Sequence, residues 1–113
     1  MDTRAKIVHA GGAAPQLPAG TRVVSGFFDP LLSWHAERLA EARAGASALA
    51  VVVRDPTAPL LSTGARAELV AALRCVDYVF AGPAHAPAPH FELDVEDRSR
   101  AAAFAGDVRA RQK

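Results

Sequence analysis

The chain has 113 residues, room for one domain, with 13 Lys+Arg against 12 Asp+Glu and a formal charge of +1. That balance argues against a sequence-independent nucleic-acid binder, and a hydrophobic fraction of 50% argues against a disordered chain. Alanine supplies 26 of the apolar residues, which leaves 31 larger side chains and a thin core that a partner subunit could complete.

Ala5–Val8 is a short apolar piece fit for an edge strand. Residues 10–20 read as a loop, because Gly11-Gly12 and two prolines break any period. Thr21–Phe28, rich in β-branched and aromatic residues, predicts a buried strand that Asp29-Pro30 ends. A helix is expected from Ser33 to Ala44. Leu32, Ala36, Leu39, Ala40 and Arg43 make its inward stripe, and Gly45 is its C′ residue. Ala48–Val53 is apolar throughout, which suits a parallel strand covered on both faces. Residues 54–61 form a loop. Ser62 or Thr63 caps a second helix that runs to Arg74 with Leu69, Val70 and Leu73 inward. Asp77–Ala81 is the third strand. Gly82–His90 holds three prolines and is loop. The last helix is expected from Val95 to Ala110, with Asp94 as N-cap, Asp97 three residues on, and Ala101, Phe104, Ala105 and Val108 inward.

Alternating strands and helices imply parallel strands with right-handed crossovers. The fold expected is a three-layer α/β half-Rossmann domain: a parallel sheet of three main strands with flanking helices. With Cys75 the only cysteine, an intrachain disulfide and a cysteine zinc cluster are both impossible. No apolar run approaches the roughly 20 residues a membrane-spanning helix needs. The Met1-Asp2-Thr3-Arg4 start lacks the apolar stretch of a signal peptide, so the cytoplasm is the expected compartment.

Gly26-Phe27-Phe28-Asp29-Pro30-Leu31-Leu32-Ser33-Trp34-His35 resembles the Gly-x-Phe-Asp-x-x-His-x-Gly-His signature of the cytidylyltransferase-like nucleotidyltransferases. Three further segments follow in order. Arg38–Arg43 is similar to the family's Tyr-Leu-x-x-Ala-Arg helix. Leu49–Val53 with Asp55 looks like its second strand and following Asp. Arg66–Val79 resembles its Glu-Arg…Leu-x-x-Val-Asp-x-Val segment. The likeness spans about Lys6 to Phe80. It implies a site at the end of the first strand that takes CTP or ATP with Mg2+ and transfers CMP or AMP to a phosphorylated sugar or polyol. Such enzymes position phosphates and neutralise charge. Carried over, Gly26, Phe27, Phe28, Asp29, His35, Asp55 and Arg66 become nucleotide-binding candidates, and His35 the catalytic candidate.

Two signature positions depart from the pattern. Leu32 stands at the first His and Trp34 at the Gly. The family's second signature, a basic residue with Ser/Thr after a fifth strand, has no counterpart in these 113 residues, so the second half of the fold is expected to be missing. Losing one charge-stabilising donor costs roughly 10²–10³ in rate at comparable sites. The expectation is a nucleotidyltransferase-like pseudoenzyme with weak nucleotide affinity. Two alternatives are an interaction module in which Leu32 and Trp34 fill the old site, and an enzyme completed by a partner subunit.

Each candidate also has a plainer reading. His35 hydrogen-bonds to backbone or water, Asp29 ends a strand, Trp34 packs, and Arg66 is solvated in a first helical turn. Arg54-Asp55 is surface loop. His85 and His90, with Glu92 and Asp94 near them, sit in a proline-rich loop that is a poor metal cage, Cys75 is an inert thiol, and Ser33 lacks a triad partner. Because the family's sheet runs 3-2-1-4-5, loss of strands four and five would leave Thr21–Phe28 as an open apolar edge. Three remedies are open: Ala5–Val8 folds back and pairs with it, the C-terminal helix covers it, or two copies join edge to edge, and a homodimer through that edge is the partner expected.

Overall fold

A computed structural model of the protein describes residues 2–99. The Asp2 carboxylate accepts from the Arg4 N–H at 3.0 Å and caps a single 3₁₀ turn, Thr3–Lys6. The chain then enters β1 (Ile7–Val8). After the loop come β2 (Thr21–Gly26), α1 (Ser33–Arg43), β3 (Ala48–Val53), α2 (Thr63–Ala71), β4 (Tyr78–Ala81) and β5 (Phe91–Glu92). A third helix, α3, starts at residue 93 and runs through 99, the end of the described residues. The expected inward positions Ala101, Phe104, Ala105 and Val108 lie outside them.

All five strands are parallel, in the order β1-β4-β3-β2-β5. The α/β class, the parallel sheet and the Rossmann-like alternation are therefore as read from the sequence, with two short strands added to the three main ones. The added strands extend the sheet by one strand at each end. Ile7 and Val8 pair with Val79 and Phe80. Phe91 and Glu92 pair with Val24 and Ser25. His90 extends that second seam: its N–H donates to the Val23 carbonyl at 2.7 Å, and its Nδ1 accepts from the Val23 N–H at 2.9 Å. The open first-strand edge on which the dimer expectation rests is thus taken up within the chain.

β2 ends two residues earlier than expected. Phe28 turns into the left-handed region at φ 52 and sends its ring back beneath Gly26. A Cβ on Gly26 would lie 2.7 Å from the Phe28 Cζ, so only glycine fits there. The left-handed conformation costs an aromatic residue about 1–3 kcal/mol, which complete burial of the ring offsets.

One sheet face carries Val24, Leu49, Val51, Val53 and Val79, covered by Leu39 of α1 and Ala67, Val70 and Ala71 of α2. The other carries Val23, Ala50, Val52 and Phe80, covered by Leu17 and Ala86. The β4–β5 crossing that lies over this second face is loop, as expected, because Pro83, Pro87 and Pro89 bar a helix from it.

The helix faces also need correction. Leu32 (49% exposed) and Ala40 lie outside, and His35 and Leu39 are the buried positions of α1. In α2, Leu69 is exposed, Arg66 is buried, and the helix stops at Ala71, short of Arg74. Gly45 follows α1 with φ +79, the C′ conformation expected of it. The Ser62 hydroxyl accepts from the Ala65 N–H at 3.1 Å and caps α2.

Candidate functional site

In a doubly wound sheet, ligands bind beyond the carboxyl ends of the strands where the order reverses. Here that place lies beyond β2, whose neighbours β3 and β5 belong to opposite arms of the sheet. A cleft of about 1020 Å³ opens there. Its walls are the turn after β2 (Phe27, Asp29, Pro30, Leu32), the first turn of α1 (Trp34, His35), the segment after β3 (Asp55–Ala58, Leu60) and α3 (Asp97, Arg98).

The floor is held by Arg66. Its side chain is fully buried. Nε donates to the Leu61 carbonyl at 3.1 Å, and Nη1 donates to the carbonyls of Phe27 at 3.0 Å and Arg54 at 2.7 Å. Nη2 donates to Asp55 Oδ1 and, at 3.3 Å, to Thr63 Oγ1. Both sequence readings of Arg66 need revision: it is not solvated, and its donors are spent on the loops rather than directed at a ligand. A buried guanidinium is stable when its N–H groups are paired in this way.

Asp55 accepts from the Thr63 hydroxyl at 2.6 Å as well as from Arg66. The Thr63 hydrogen bond, and then the Arg66 guanidinium, hold its carboxyl below the usual carboxylate range. Asp29 accepts from the Leu60 N–H at 2.7 Å and the Leu61 N–H at 2.8 Å, so it clamps the segment after β3 to the turn after β2. The Asp29–Pro30 peptide is cis.

His35 is buried, with 1% of its surface exposed. Its Nδ1 accepts from the Leu32 N–H at 2.9 Å, half of a capping box whose other half Leu32 cannot supply. An N–H can only donate, so the ring's proton sits on Nε2, which donates to Asp97 Oδ1 at 2.6 Å. The other carboxylate oxygen, Oδ2, accepts from the Phe27 N–H at 3.0 Å. Trp34 stacks on the imidazole at 3.9 Å between centroids, and the Phe28 ring lies 5.1 Å away, tilted by 56°. Arg98 places its guanidinium 5.2 Å over the Phe27 ring.

Behind this, the Ser25 hydroxyl donates to Asp94 Oδ1 at 2.7 Å, and Arg54 reaches Asp94 Oδ2 at 3.2 Å. Asp94 is thus a buried partner of β2 and not the N-cap expected, and Arg54 pairs with it rather than lying free in a surface loop.

Of the sequence candidates, Phe27, Asp29, His35 and Asp55 line one cleft, while Phe28 and Arg66 are fully buried outside its lining and Gly26 packs on the Phe28 ring. Their polar groups are engaged by backbone and by neighbouring side chains, Asp97 and Thr63 among them. Sequence reasoning missed Asp97, Asp94 and Arg98 as site residues. Asp94-x-x-Asp97 read as a helix-start pattern, and only the lone Ser25 inside an apolar strand hinted at a buried polar partner. Among the described residues no group of three His, Cys, Asp or Glu is placed to hold a metal ion. No helix among them is long and apolar enough to cross a membrane. No protein-family model matches the chain, and no curated protein matches it.

Proposed function

We propose that the chain is a cytidylyltransferase-like module with impaired catalysis, whose strand-end cleft binds a nucleotide such as CTP or ATP weakly. The observation that carries this reading is His35. Both of its ring nitrogens are engaged, one by the Leu32 N–H and one by Asp97. While both bonds hold, the ring has neither a free donor nor a free lone pair with which to stabilise charge on a reacting phosphate. Arg66 is likewise spent on structure, and Asp29 and Asp55 hold donors of the neighbouring loops and of α2. The cleft's position beyond β2 and its volume support binding. The link to the family itself rests on the signature residues Gly26, Phe28, Asp29 and His35.

A second reading makes the cleft rim a protein-interaction surface. Leu32 at 49% and Leu60 at 80% exposure favour it, since both are large apolar side chains beside Trp34. In a third, a partner subunit supplies the basic Ser/Thr signature that the resemblance calls for. Titration calorimetry with CTP and ATP, with and without Mg2+, separates the readings. Saturable heat at micromolar to millimolar nucleotide supports the first, and none favours the second. Pyrophosphate release with a phosphorylated sugar or polyol would replace both with an active enzyme.

A further inference from the structure

The Phe27 N–H and the His35 Nε2–H come from different segments, the turn after β2 and the first turn of α1, yet converge on one carboxylate at 3.0 and 2.6 Å. Two fixed donors meeting two oxygens of one acceptor describe an oxyanion position. The acceptor is the chain's own Asp97, brought in by α3. Among its described residues, 93–99, that helix is held by several polar and charged groups. Asp94 binds Ser25 and Arg54, Glu96 binds Arg38 at 3.4 Å, and Arg98 lies over Phe27. Leu93 is its buried apolar anchor, whereas Val95 is 57% exposed. An external ion of the same chemistry can take over the two hydrogen bonds that Asp97 accepts, so for those bonds the exchange has little net cost.

We propose that Asp97 is an internal occupant of an oxyanion position, and that an external small oxyanion reaches Phe27 and His35 only by displacing it and lifting α3 from the cleft. This rests on the reading of the cleft as a ligand site and adds its regulation: the chain competes with its own ligand. Asp97 is a positioning residue here, and the donors are Phe27 and His35.

The test compares the unaltered chain with Asp97→Ala, using inorganic phosphate and acetate as probes and chloride at matched ionic strength as the salt control. Exchange of the Phe27 amide hydrogen is expected to quicken at least tenfold in Asp97→Ala while cooperative unfolding is retained. Phosphate or acetate should then slow it again, saturably and at millimolar concentration. Trp34 fluorescence should change over the same range, because Trp34 stacks on His35. The unaltered chain should need at least tenfold more of either anion. Response to phosphate alone would assign the position to phosphoryl groups, and response to both to oxyanions generally. A folded Asp97→Ala whose Phe27 protection is unchanged, or is lost with no anion response, overturns the proposal and leaves Asp97 a structural clamp.

Should Asp97→Ala not fold, trypsin cleavage after Arg98 in the unaltered chain decides. Acceleration by phosphate but not chloride supports displacement, and equal rates reject it. CTP run in parallel keeps the two readings apart. Phosphate binding without CTP binding removes the nucleotide reading alone. Equal CTP binding by both proteins, with no phosphate effect, removes the internal occupant alone.

Discussion

The Arg66 guanidinium donates to the Phe27 carbonyl at 3.0 Å across 39 residues of chain. The bond ties the first turn of α2 to the turn after β2, and the same side chain holds the carbonyls of Arg54 and Leu61. Two strand ends and a helix start therefore behave as one unit. Such a unit is what a cleft needs if its walls are to keep their spacing without a ligand.

Arg66→Met keeps the aliphatic stem and removes every donor. The carbonyls of Phe27, Arg54 and Leu61 then lose a partner, at about 1–3 kcal/mol for each that stays dry. Urea denaturation should show a net loss of about 3–5 kcal/mol. Arg66→Lys, with charge but no planar fork, should fall between. A fully stable Arg66→Met that lost only ligand affinity would return Arg66 to the role its sequence position implies.

Gly26→Ala tests the packing of the signature turn. The added methyl would sit 2.7 Å from the Phe28 Cζ and 2.8 Å from its Cε2, and the ring is fully buried. The expected loss is about 1–3 kcal/mol. Placing Phe28→Leu in the same chain should recover part of it, with a coupling of at least about 1 kcal/mol in a double-mutant cycle. Strictly additive losses would mean that the ring and the glycine do not constrain each other.

β3 was legible to the residue, because an unbroken apolar run buried on both faces has no competing reading. β2 was overrun because Phe27-Phe28 has strand composition, and nothing local announces that Phe28 turns left-handed to fill the space Gly26 leaves. Hydropathy put Leu32 and Leu69 inward and Arg66 outward. The fold does the reverse, since buried polar groups with complete hydrogen-bond sets are invisible to an apolar count. The turn after β2 was legible as a candidate site. Its closure was not: His35 and Asp97 lie 62 residues apart, and their pairing is set by β5 docking beside β2.

Asp55 gives the site a pH dependence of known sign. Its carboxyl is held below the ordinary value by the Thr63 hydroxyl and the Arg66 guanidinium, so the folded state favours the ionised form. The resulting stability is present above about pH 3.9 and is lost as pH falls through the lowered folded value. With 55% of the side chain exposed, solvent screens much of the effect. Urea midpoints of the parent and Asp55→Asn should differ at pH 7 and converge toward pH 2. A difference that stayed constant would place the contribution in packing rather than charge.

Self-association is testable at a defined edge. β2 has neighbours on both sides, β3 over its whole length and β5 at Val24 and Ser25, with His90 at Val23 and Asp97 at Phe27. Val24 is 1% exposed, so Val24→Lys buries a charge in the core and should unfold the chain at every protein concentration. Had Val24 lain at a subunit seam, its loss would be offset by raising concentration. Among the described residues the edges left for a second copy are the outer sides of β1 and β5, and at β5 Phe91 is 53% exposed with Val95 of α3, at 57%, close after it. A strand of two residues offers few rungs, which itself discourages pairing. Sedimentation equilibrium at micromolar concentration is expected to return the 11.8 kDa species. If a heavier one forms instead, Phe91→Lys should restore 11.8 kDa without loss of fold. Its failure to do so would move the contact away from the sheet, to the apolar rim of Leu32 and Leu60.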